Sequence, residues 1–269
     1  MHIHFLGTAA FEGIPSLFCE CRTCAQARER GGRNIRSRTS VLIDGELKVD
    51  FPPDTFYHSL QYGITLNAIK DLLITHAHSD HLYAEDMVIR AAGYAQYGGQ
   101  PIHVYAHDLP IRLSTHALIG EKHDYRFHRV LPFEPMQTQT ATIVPLLAAH
   151  DPQETCLLYL IEKDGKTVLY GNDSGWFPEQ TWRYLNDVKL DAAILECTVG
   201  RSSHRSSHMN IDAVLETKAW MTEHTVLKPN APVIVTHFSH NAHLLHEELV
   251  EIFQPNGIQV AYDGLIVTI

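Results

Sequence analysis

The chain has 269 residues, of which 45% are hydrophobic, so it can form a large apolar core and is neither a disordered nor a fibrous protein. This length fits one α/β enzyme domain, and we predict a single domain over residues 1–269. The formal net charge of −10 opposes binding along the phosphate backbone of extended nucleic acid. The chain also contains 19 histidines, a number that favours a metal enzyme because histidine is the commonest metal ligand.

The N-terminal residues 1–7 lack a basic segment followed by an apolar run, which is the pattern of a secretion signal. No stretch of the sequence reaches the roughly 18 to 20 apolar residues of a membrane span. These two features predict a cytoplasmic protein with no membrane partner.

Short apolar runs and longer amphipathic segments alternate along the whole chain. The runs are rich in Val, Ile and Leu and predict strands at Ile3–Leu6, Ser40–Ile43, Leu47–Asp50, Asp71–Thr75, His103–Tyr105, Ala141–Pro145, Cys156–Glu162, Thr167–Gly171, Ala192–Glu196 and Val233–Thr236. Helical spacing predicts helices at Cys24–Arg30, Phe56–Gly63, Ala84–Ala95, Trp182–Leu185, Ile211–Glu223 and Ala242–Ile252. The Asp164-Gly165 pair predicts a β-hairpin over Cys156–Gly171. The pattern indicates an α/β fold with a mixed sheet, and no repeat or linker divides it.

The strand predicted over Asp71–Thr75 leads directly into His76-Ala77-His78-Ser79-Asp80-His81. A buried strand that ends in three imidazoles and a carboxylate delivers metal ligands to the rim of a sheet, where open α/β folds place their sites. In extended backbone the first two histidines point the same way, whereas the aspartate and the last histidine can turn to a neighbouring position. One loop can therefore serve two metal ions, and a surface loop that is His-rich by chance is the weaker alternative.

This run resembles the HxHxDH motif of the metallo-β-lactamase superfamily, whose members form a four-layer αββα sandwich with mixed sheets. The resemblance implies further ligands in the order His, Asp, His at the ends of later strands. Apolar runs here end at His150, Asp173 and His237, each of which taken alone is an ordinary polar residue at a strand end. By similarity, the first metal would be held by His76, His78 and His150, the second by Asp80, His81 and His237, with Asp173 bridging the two.

Imidazole and carboxylate ligands suit Zn²⁺ or Mn²⁺. Two such cations about 3.5 to 4 Å apart activate a water for attack and polarise the group that it attacks. We therefore expect two divalent ions, hydrolysis without an amino-acid nucleophile, and a catalytic as well as a ligating role for Asp80. Asp50 and Asp54 lie near the site in several relatives without binding metal, so neither is predicted to be a ligand.

The opening Phe5-Leu6-Gly7-Thr8-Ala9-Ala10, followed by Gly13-Ile14-Pro15, resembles the FLGTG…G-P start of the phosphodiesterase branch of this superfamily. Alanine stands at position 9 where that pattern usually has glycine. The branch includes transfer-RNA 3′-processing nucleases and phosphonate-operon phosphodiesterases, so the resemblance implies cleavage of phosphodiesters.

Three of the five cysteines, Cys19, Cys21 and Cys24, fall within six residues, which is poor spacing for disulfides and favours a metal clip. They resemble the CxCxxC of the phosphonate-operon phosphodiesterase (PhnP-like) group. That resemblance implies one structural zinc held by the three thiolates and His240. The alternative, reduced cysteines packed as small apolar side chains, is the interpretation that we give to Cys156 and Cys197.

In the phosphodiesterase branch a histidine of the region after the strand Ala192–Glu196 contacts the scissile phosphate and can protonate the leaving group. The resemblance assigns this role to His208, with Glu196 as the residue that orients it. His204 competes for the role. In a further alternative, Ser207 or Asn210 caps the following helix and His208 is merely solvated.

We expect hydrolysis of a phosphodiester in a small molecule, such as a cyclic phosphate or a nucleotide derivative. The alternatives are a transfer-RNA-processing nuclease, a thioester or lactam hydrolase of the same fold, and a metal-binding protein without catalysis. A homodimer is left open. The His-rich stretch 103–128 is either a loop that faces the substrate or a solvated helix and loop.

Overall fold

A computed structural model describes residues 1–96 and 99–269, and within them the chain forms two seven-stranded sheets. The strands in chain order are His2–Gly7 (β1), Ser40–Ile43 (β2), Leu47–Val49 (β3), Asp71–Leu73 (β4), His103–Ala106 (β5), Arg126–Arg129 (β6), Met136–Gln137 (β7), Thr142–Leu147 (β8), Leu157–Lys163 (β9), Lys166–Gly171 (β10), Ala192–Glu196 (β11), Val233–Thr236 (β12), Ile258–Val260 (β13) and Ile266–Thr268 (β14).

The α-helices are Arg22–Arg30 (α1), Thr55–Tyr62 (α2), Asp108–Ala117 (α3), Glu179–Leu185 (α4), Ile211–Glu223 (α5) and His246–Phe253 (α6). Short 3₁₀ helices lie at Gly32–Asn34, Leu66–Ala68, Ala84–Arg90, His240–Ala242 and Gln254–Asn256. Several ends follow from local chemistry. The Asn210 side chain accepts a hydrogen bond from the main chain of Ala213 and so caps α5, and Gly63, in a left-handed conformation, ends α2.

Both sheets are mixed. The first has the order β14-β1-β2-β3-β4-β5-β6 and the second β13-β12-β11-β10-β9-β8-β7. In the first sheet β3 to β6 run parallel, and in the second β10 to β13 do so. The carboxyl ends of parallel strands gather at one edge, which is where α/β folds place ligand-bearing loops.

Three apolar clusters show how the layers stack. The cluster between the sheets includes the fully buried Val41 and Tyr159. A second cluster packs the other face of the second sheet against α5 and α6, through Met221 and Leu249. A third packs the first sheet against the segment around Met87. Because each sheet is buried on both faces, the chain forms the four-layer αββα sandwich, and the predicted fold is confirmed.

All ten predicted strands are present, with ends that differ by at most two residues from the prediction. The hairpin is also present, since β9 and β10 pair antiparallel across Asp164 and Gly165, both in left-handed conformation. The α-helix predicted over Ala84–Ala95 is wrong. That segment forms a 3₁₀ helix over Ala84–Arg90, followed by Gly93 at a φ of 104°, a conformation that helices exclude.

The two sheets are also joined by a buried carboxylate at the start of β4. Asp71 is fully buried and accepts hydrogen bonds from the hydroxyls of Thr138 (2.7 Å) and Thr140 (2.6 Å), and from the main-chain N–H groups of Gln139 (3.1 Å) and Thr140 (2.8 Å). These donors lie in the turn between β7 and β8, so one side chain of the first sheet holds a turn of the second.

We expect Asp71→Ala to lower the free energy of unfolding by about 3 kcal/mol, because buried donors would lose a charged acceptor. Urea denaturation measures the change. Gln139→Ala is the matched control, since Gln139 donates through its main chain, and it should stay within about 0.5 kcal/mol of the wild type. Equal stability of Asp71→Ala and the control would show that the hydrogen bonds between Asp71 and the β7–β8 turn do not stabilise the fold.

Candidate metal centre and active site

The predicted ligands come together at the carboxyl ends of the strands. The first four occupy the loop after β4, and the other three follow β8, β10 and β12. They form two clusters that share one residue: His76, His78, His150 and Asp173 in the first, and Asp80, His81, Asp173 and His237 in the second. Residues of both clusters line a cleft of about 430 Å³.

In the first cluster three imidazole nitrogens face one another. His78 Nδ1 lies 3.0 Å from His76 Nε2 and 3.0 Å from His150 Nε2. Asp173 Oδ2 lies 3.4 Å from His76 Nε2. Ligands bonded at about 2.0 to 2.2 Å to one cation lie about 3 to 3.5 Å apart, so this spacing fits a metal ion.

The second cluster is almost fully buried. Asp173 Oδ2 lies 2.9 Å from His81 Nε2 and 3.5 Å from His237 Nε2, and Asp80 Oδ2 lies 3.3 Å from His81 Nε2. His81 Nε2 and His237 Nε2 are buried and, although carboxylate oxygens lie close to them, they make no hydrogen bond of good geometry. Buried polar atoms without partners are costly, and a bound cation would satisfy them. Asp173 Oδ2 is within 3.5 Å of nitrogens from both clusters, which is the position of a bridging ligand.

The opposite nitrogen of each imidazole is held by a neighbour, and this fixes the ring orientation. The contacts are His76 Nδ1 to Thr75 Oγ1 (3.0 Å), His78 Nε2 to Asp151 Oδ2 (3.1 Å), His81 Nδ1 to Asp50 Oδ2 (2.7 Å), His150 Nδ1 to the Ser207 carbonyl (3.1 Å) and His237 Nδ1 to Thr198 Oγ1 (2.8 Å). Each ring therefore presents its remaining nitrogen to the cluster.

Asp50 does not join either cluster but holds one of the ligands. It is fully buried, and its other carboxylate oxygen accepts from the main-chain N–H and the hydroxyl of Thr75, both at 2.9 Å. Its backbone has a φ of 63°, a strained conformation for a non-glycine residue that is common at functional sites. This position of Asp50 agrees with the prediction from the sequence that Asp50 is not a metal ligand.

The charge balance of the site calls for cations. Burial and the neighbouring His81 hold the pKa of His76 well below its usual range, so His76 is neutral and has a lone pair to donate. Burial would also lower the pKa of His81, but the carboxylates of Asp80 and Asp50 outweigh burial and raise it well above the usual range. Clustered buried carboxylates thus demand positive charge, which divalent ions supply.

The cysteine cluster lies beside the metal centre. Cys19 Sγ and Cys21 Sγ are each 3.5 Å from His240 Nδ1, and Cys24 completes a group whose ligand atoms all lie within 4.8 Å of one another. A tetrahedral zinc with bonds of about 2.3 Å to sulfur and 2.0 Å to nitrogen separates S and N by about 3.5 Å. Burial raises the pKa of Cys21, but hydrogen bonds from Cys24 and His240 lower it to about 6, which favours the ligating thiolate.

His208 lies at the wall of the metal-ligand cleft. Its Nδ1 is 3.0 Å from Glu196 Oε1 and 3.0 Å from Asp173 Oδ1. Glu196 is fully buried and is itself held by the main-chain N–H groups of Ser174 (2.8 Å) and Thr198 (3.0 Å). Burial lowers the pKa of His208, but the Glu196 and Asp173 carboxylates raise it to about 11, which favours the protonated ring.

The structure distinguishes between His204 and His208, the two histidines considered for the role of general acid. His204 is exposed, and its Nε2 contacts the hydroxyls of Ser207 (3.1 Å) and Ser206 (3.2 Å). It is not among the residues that line the metal-ligand cleft, whereas His208 is. Asn210 caps α5, as the alternative assumed, yet His208 is not simply solvated.

Sequence reasoning missed three residues whose side chains hold ligands: Thr75, Asp151 and Thr198. Asp151 directly follows His150 in the chain, a signal that was available, whereas Thr198 reaches His237 only through the pairing of β11 with β12. The His-rich stretch 103–128 supplies none of the cleft-lining residues. Within it, His103 and His128 contact each other at 2.8 Å from neighbouring strands.

The family model of the beta-lactamase superfamily domain matches residues 42–238. The chain therefore belongs to the metallo-β-lactamase superfamily of hydrolases, and the predicted membership is confirmed. Members of this family use divalent metal ions, and the His and Asp clusters described above are suited to hold them.

Solved structures share the whole fold. A diphosphatase of the PhnP family is 25% identical, with a TM-score of 0.78 over 100% of this chain and 97% of that chain. Zn²⁺-bound PqqB from Methylobacterium extorquens is 17% identical, with a TM-score of 0.71 and full coverage of both chains. The short form of human tRNase Z is 16% identical, with a TM-score of 0.69 over 100% of this chain and 99% of that chain.

Among curated proteins, an octanoyltransferase from Porphyromonas gingivalis (strain ATCC BAA-308 / W83) is 26% identical over 98% of this chain. The match covers 51% of that protein, so the chain spans about half the length of this relative. Among the described residues, every helix is too short or too polar to cross a membrane.

We expect Asp50→Asn to weaken metal binding by about 10- to 100-fold, because His81 would lose the carboxylate that orients it. A titration against a competing chelator measures the affinity. Asp54→Asn is the control, since Asp54 contacts Arg38 and not a ligand. Unchanged affinity in Asp50→Asn would show that the Asp50–His81 contact does not support the metal site.

Proposed function

We propose that this chain is a metal-dependent phosphodiesterase that acts on a small molecule, such as a cyclic phosphate or a nucleotide derivative. The observation that carries the proposal is the His208–Glu196 pair, whose 3.0 Å contact places a charged imidazole in the wall of the same cleft as the two clusters. A site for hydrolysis of a phosphodiester needs a group that protonates the leaving oxygen, and this pair supplies one.

The metal complement is part of the proposal. We assign two divalent ions, Zn²⁺ or Mn²⁺, to the clusters that share Asp173, because imidazole and carboxylate ligands suit both metals. Bound there, the ions would supply Lewis-acid activation of the phosphoryl group and of the attacking water. Asp80 contributes a carboxylate oxygen to the second cluster and lines the cleft, so it faces both metal and substrate.

The protein's own residues then have distinct tasks. His208 donates a hydrogen bond or a proton to the oxygen that leaves, and Glu196 keeps the ring oriented and protonated through its 3.0 Å contact. Asp151, Asp50 and Thr198 keep three ligand rings in place. No side chain of the cleft has to act as a nucleophile.

A second candidate reaction is cleavage of a diphosphate bond. It is favoured by the similarity to a diphosphatase of the PhnP family, at 25% identity over nearly the full length of both chains. A diphosphate also presents a phosphoryl group and an oxygen leaving group, so the same residues serve. Octanoyl transfer is the activity named for a relative of about twice the length, and the two metal-ligand clusters of this chain point to hydrolysis instead.

We expect His208→Ala to lower kcat on a phosphodiester with an alkyl leaving group by about 10²-fold or more, since general acids contribute about 10² to 10⁴. The loss should be smaller on bis(p-nitrophenyl) phosphate, because p-nitrophenolate leaves without a proton. Steady-state kinetics of the metal-loaded enzyme test this. His204→Ala is the matched control and should keep the wild-type rate; wild-type activity of His208→Ala on the alkyl ester would remove the proposed acid.

For the cysteine cluster we propose one structural Zn²⁺ held by Cys19, Cys21, Cys24 and His240. Cys21→Ser should lose about one zinc per chain by elemental analysis and lower the melting temperature, because structural zinc contributes to folding energy. Cys156→Ser is the control, since Cys156 is buried and is not one of the four ligand residues of this cluster. A zinc content equal to the wild type would contradict the assignment.

A further inference from the structure

A second cleft of about 510 Å³ adjoins the metal-ligand cleft, and the two share the side chain of Glu12. Three arginines line the second cleft: Arg33, Arg36 and Arg38. Glu12 belongs to neither metal-ligand cluster, and its Oε1 accepts hydrogen bonds from Ser239 Oγ and Asn241 Nδ2, both at 3.0 Å. A substrate long enough to leave the metal-ligand cleft on this side would enter the second cleft past Glu12.

The carboxylates of this cleft are already engaged by partners. Asp54 accepts from the main-chain N–H of Arg38 at 2.8 Å and contacts its guanidinium at 3.3 Å. Asp263 accepts from the Thr8 hydroxyl and from the main chain and hydroxyl of Ser37, all at 2.6 Å. The three arginines of the cleft balance its three carboxylates, Glu12, Asp54 and Asp263, and Asp54 is paired directly with Arg38. Among the described residues, Arg33 and Arg36 are the cations of this cleft that have no direct carboxylate contact.

Arg36 supplies a buried positive charge. Its side chain is only 3% exposed, and it donates to the Thr8 hydroxyl (2.7 Å), the Ala261 carbonyl (2.7 Å) and His246 Nδ1 (3.0 Å). All three acceptors are neutral, and no carboxylate oxygen of the described residues lies within 4.0 Å of it. The Thr8 hydroxyl in turn donates to Asp263 at 2.6 Å, so the charge of Arg36 is balanced through Thr8. The exposed Arg33 is therefore the cation that an anionic ligand can contact directly.

Arg33 supplies the contact group. Its guanidinium lies over the ring of Tyr262, 4.1 Å from the centroid, which limits its orientation. It is exposed, and it makes no hydrogen bond or ion pair with any residue that the structure describes, so its planar set of donors is free. A fixed guanidinium binds phosphate or carboxylate through two parallel hydrogen bonds.

We propose that the second cleft binds a second anionic group of the substrate, a phosphate or a carboxylate, and that Arg33 is the residue that recognises it. This inference rests on the proposed phosphodiesterase function and makes it more specific. The preferred substrates carry one phosphoryl group at the metal centre and another anion beyond Glu12. A simple diester without that anion would use only the metal-ligand cleft.

Two substrates with the same leaving group test this proposal. One is the p-nitrophenyl ester of thymidine 5′-phosphate, and the other is the same ester with an added 3′-phosphate. We expect the wild type to have a KM at least tenfold lower for the second. Arg33→Ala should remove that preference by raising KM for the phosphorylated ester about tenfold, while kcat and the KM of the plain ester change less than twofold.

The matched control is Arg30→Ala, because Arg30 is exposed, lies on α1 and pairs with Glu247 at 3.7 Å outside the cleft. It should retain the wild-type preference. Arg33→Lys should recover part of the affinity, since lysine keeps the charge but not the planar pair of donors. The melting temperature of each variant checks that it is folded.

A binding measurement separates the subsite from the reaction. Calorimetry with thymidine 3′,5′-diphosphate and thymidine 5′-phosphate should show tighter binding of the diphosphate to the wild type, and about tenfold weaker binding of it to Arg33→Ala. If neither ester is hydrolysed but this difference holds, the proposed function fails and the anion subsite stands. If the wild type shows no preference for the second anion in either assay, or Arg33→Ala weakens both ligands equally, the subsite proposal is overturned.

Discussion

The gathering of buried carboxylates at one edge of the sandwich is the constraint on which the rest of this structure depends. Asp50, Asp80 and Asp173 are each at most 3% exposed, and buried negative charge is stable only when cations neutralise it. The surrounding imidazoles neutralise part of this negative charge, and metal ions would neutralise the rest. Such ions would also satisfy the buried nitrogens of His81 and His237, which make no hydrogen bond of good geometry. The family's metal dependence is thus a condition of burying these groups.

That constraint also shapes the backbone. Asp50, Asp173 and His237 all have positive φ values, of 63°, 57° and 57°, although none is glycine. Each follows a strand end: Asp173 and His237 turn their side chains into the clusters, and Asp50 turns its side chain toward the ligand His81. Such conformations cost about 1 to 3 kcal/mol each, and the packing of two sheets buried on both faces is what holds them. The rigid sandwich therefore stabilises a site that is locally strained.

The sequence predicted the interior of the fold better than its edges. Strands β11 and β12 are buried at every position and are apolar up to Glu196 and Thr236 at their carboxyl ends, so their pattern is unambiguous. Strand β6 reads Arg-Phe-His-Arg and lies at the edge of its sheet, so its hydrogen bonds come from a neighbour that hydrophobicity does not reveal. The same limit applies to the site. Ligands at strand ends could be predicted, whereas Thr198 and Arg33 act through contacts that only the folded chain creates.

The cysteine cluster and the substrate clefts are linked through one residue. Glu12 lines both clefts, and its carboxylate accepts hydrogen bonds from the neighbours of His240 on either side in the sequence, Ser239 and Asn241. The turn that carries Glu12 is held further by Arg38, whose Nε donates to the Phe11 carbonyl at 2.8 Å. Fixing His240 to the three cysteines therefore also fixes the wall between the metal centre and the arginine-lined cleft. A cluster that takes no part in the reaction can in this way set the shape of the space that a substrate must fill.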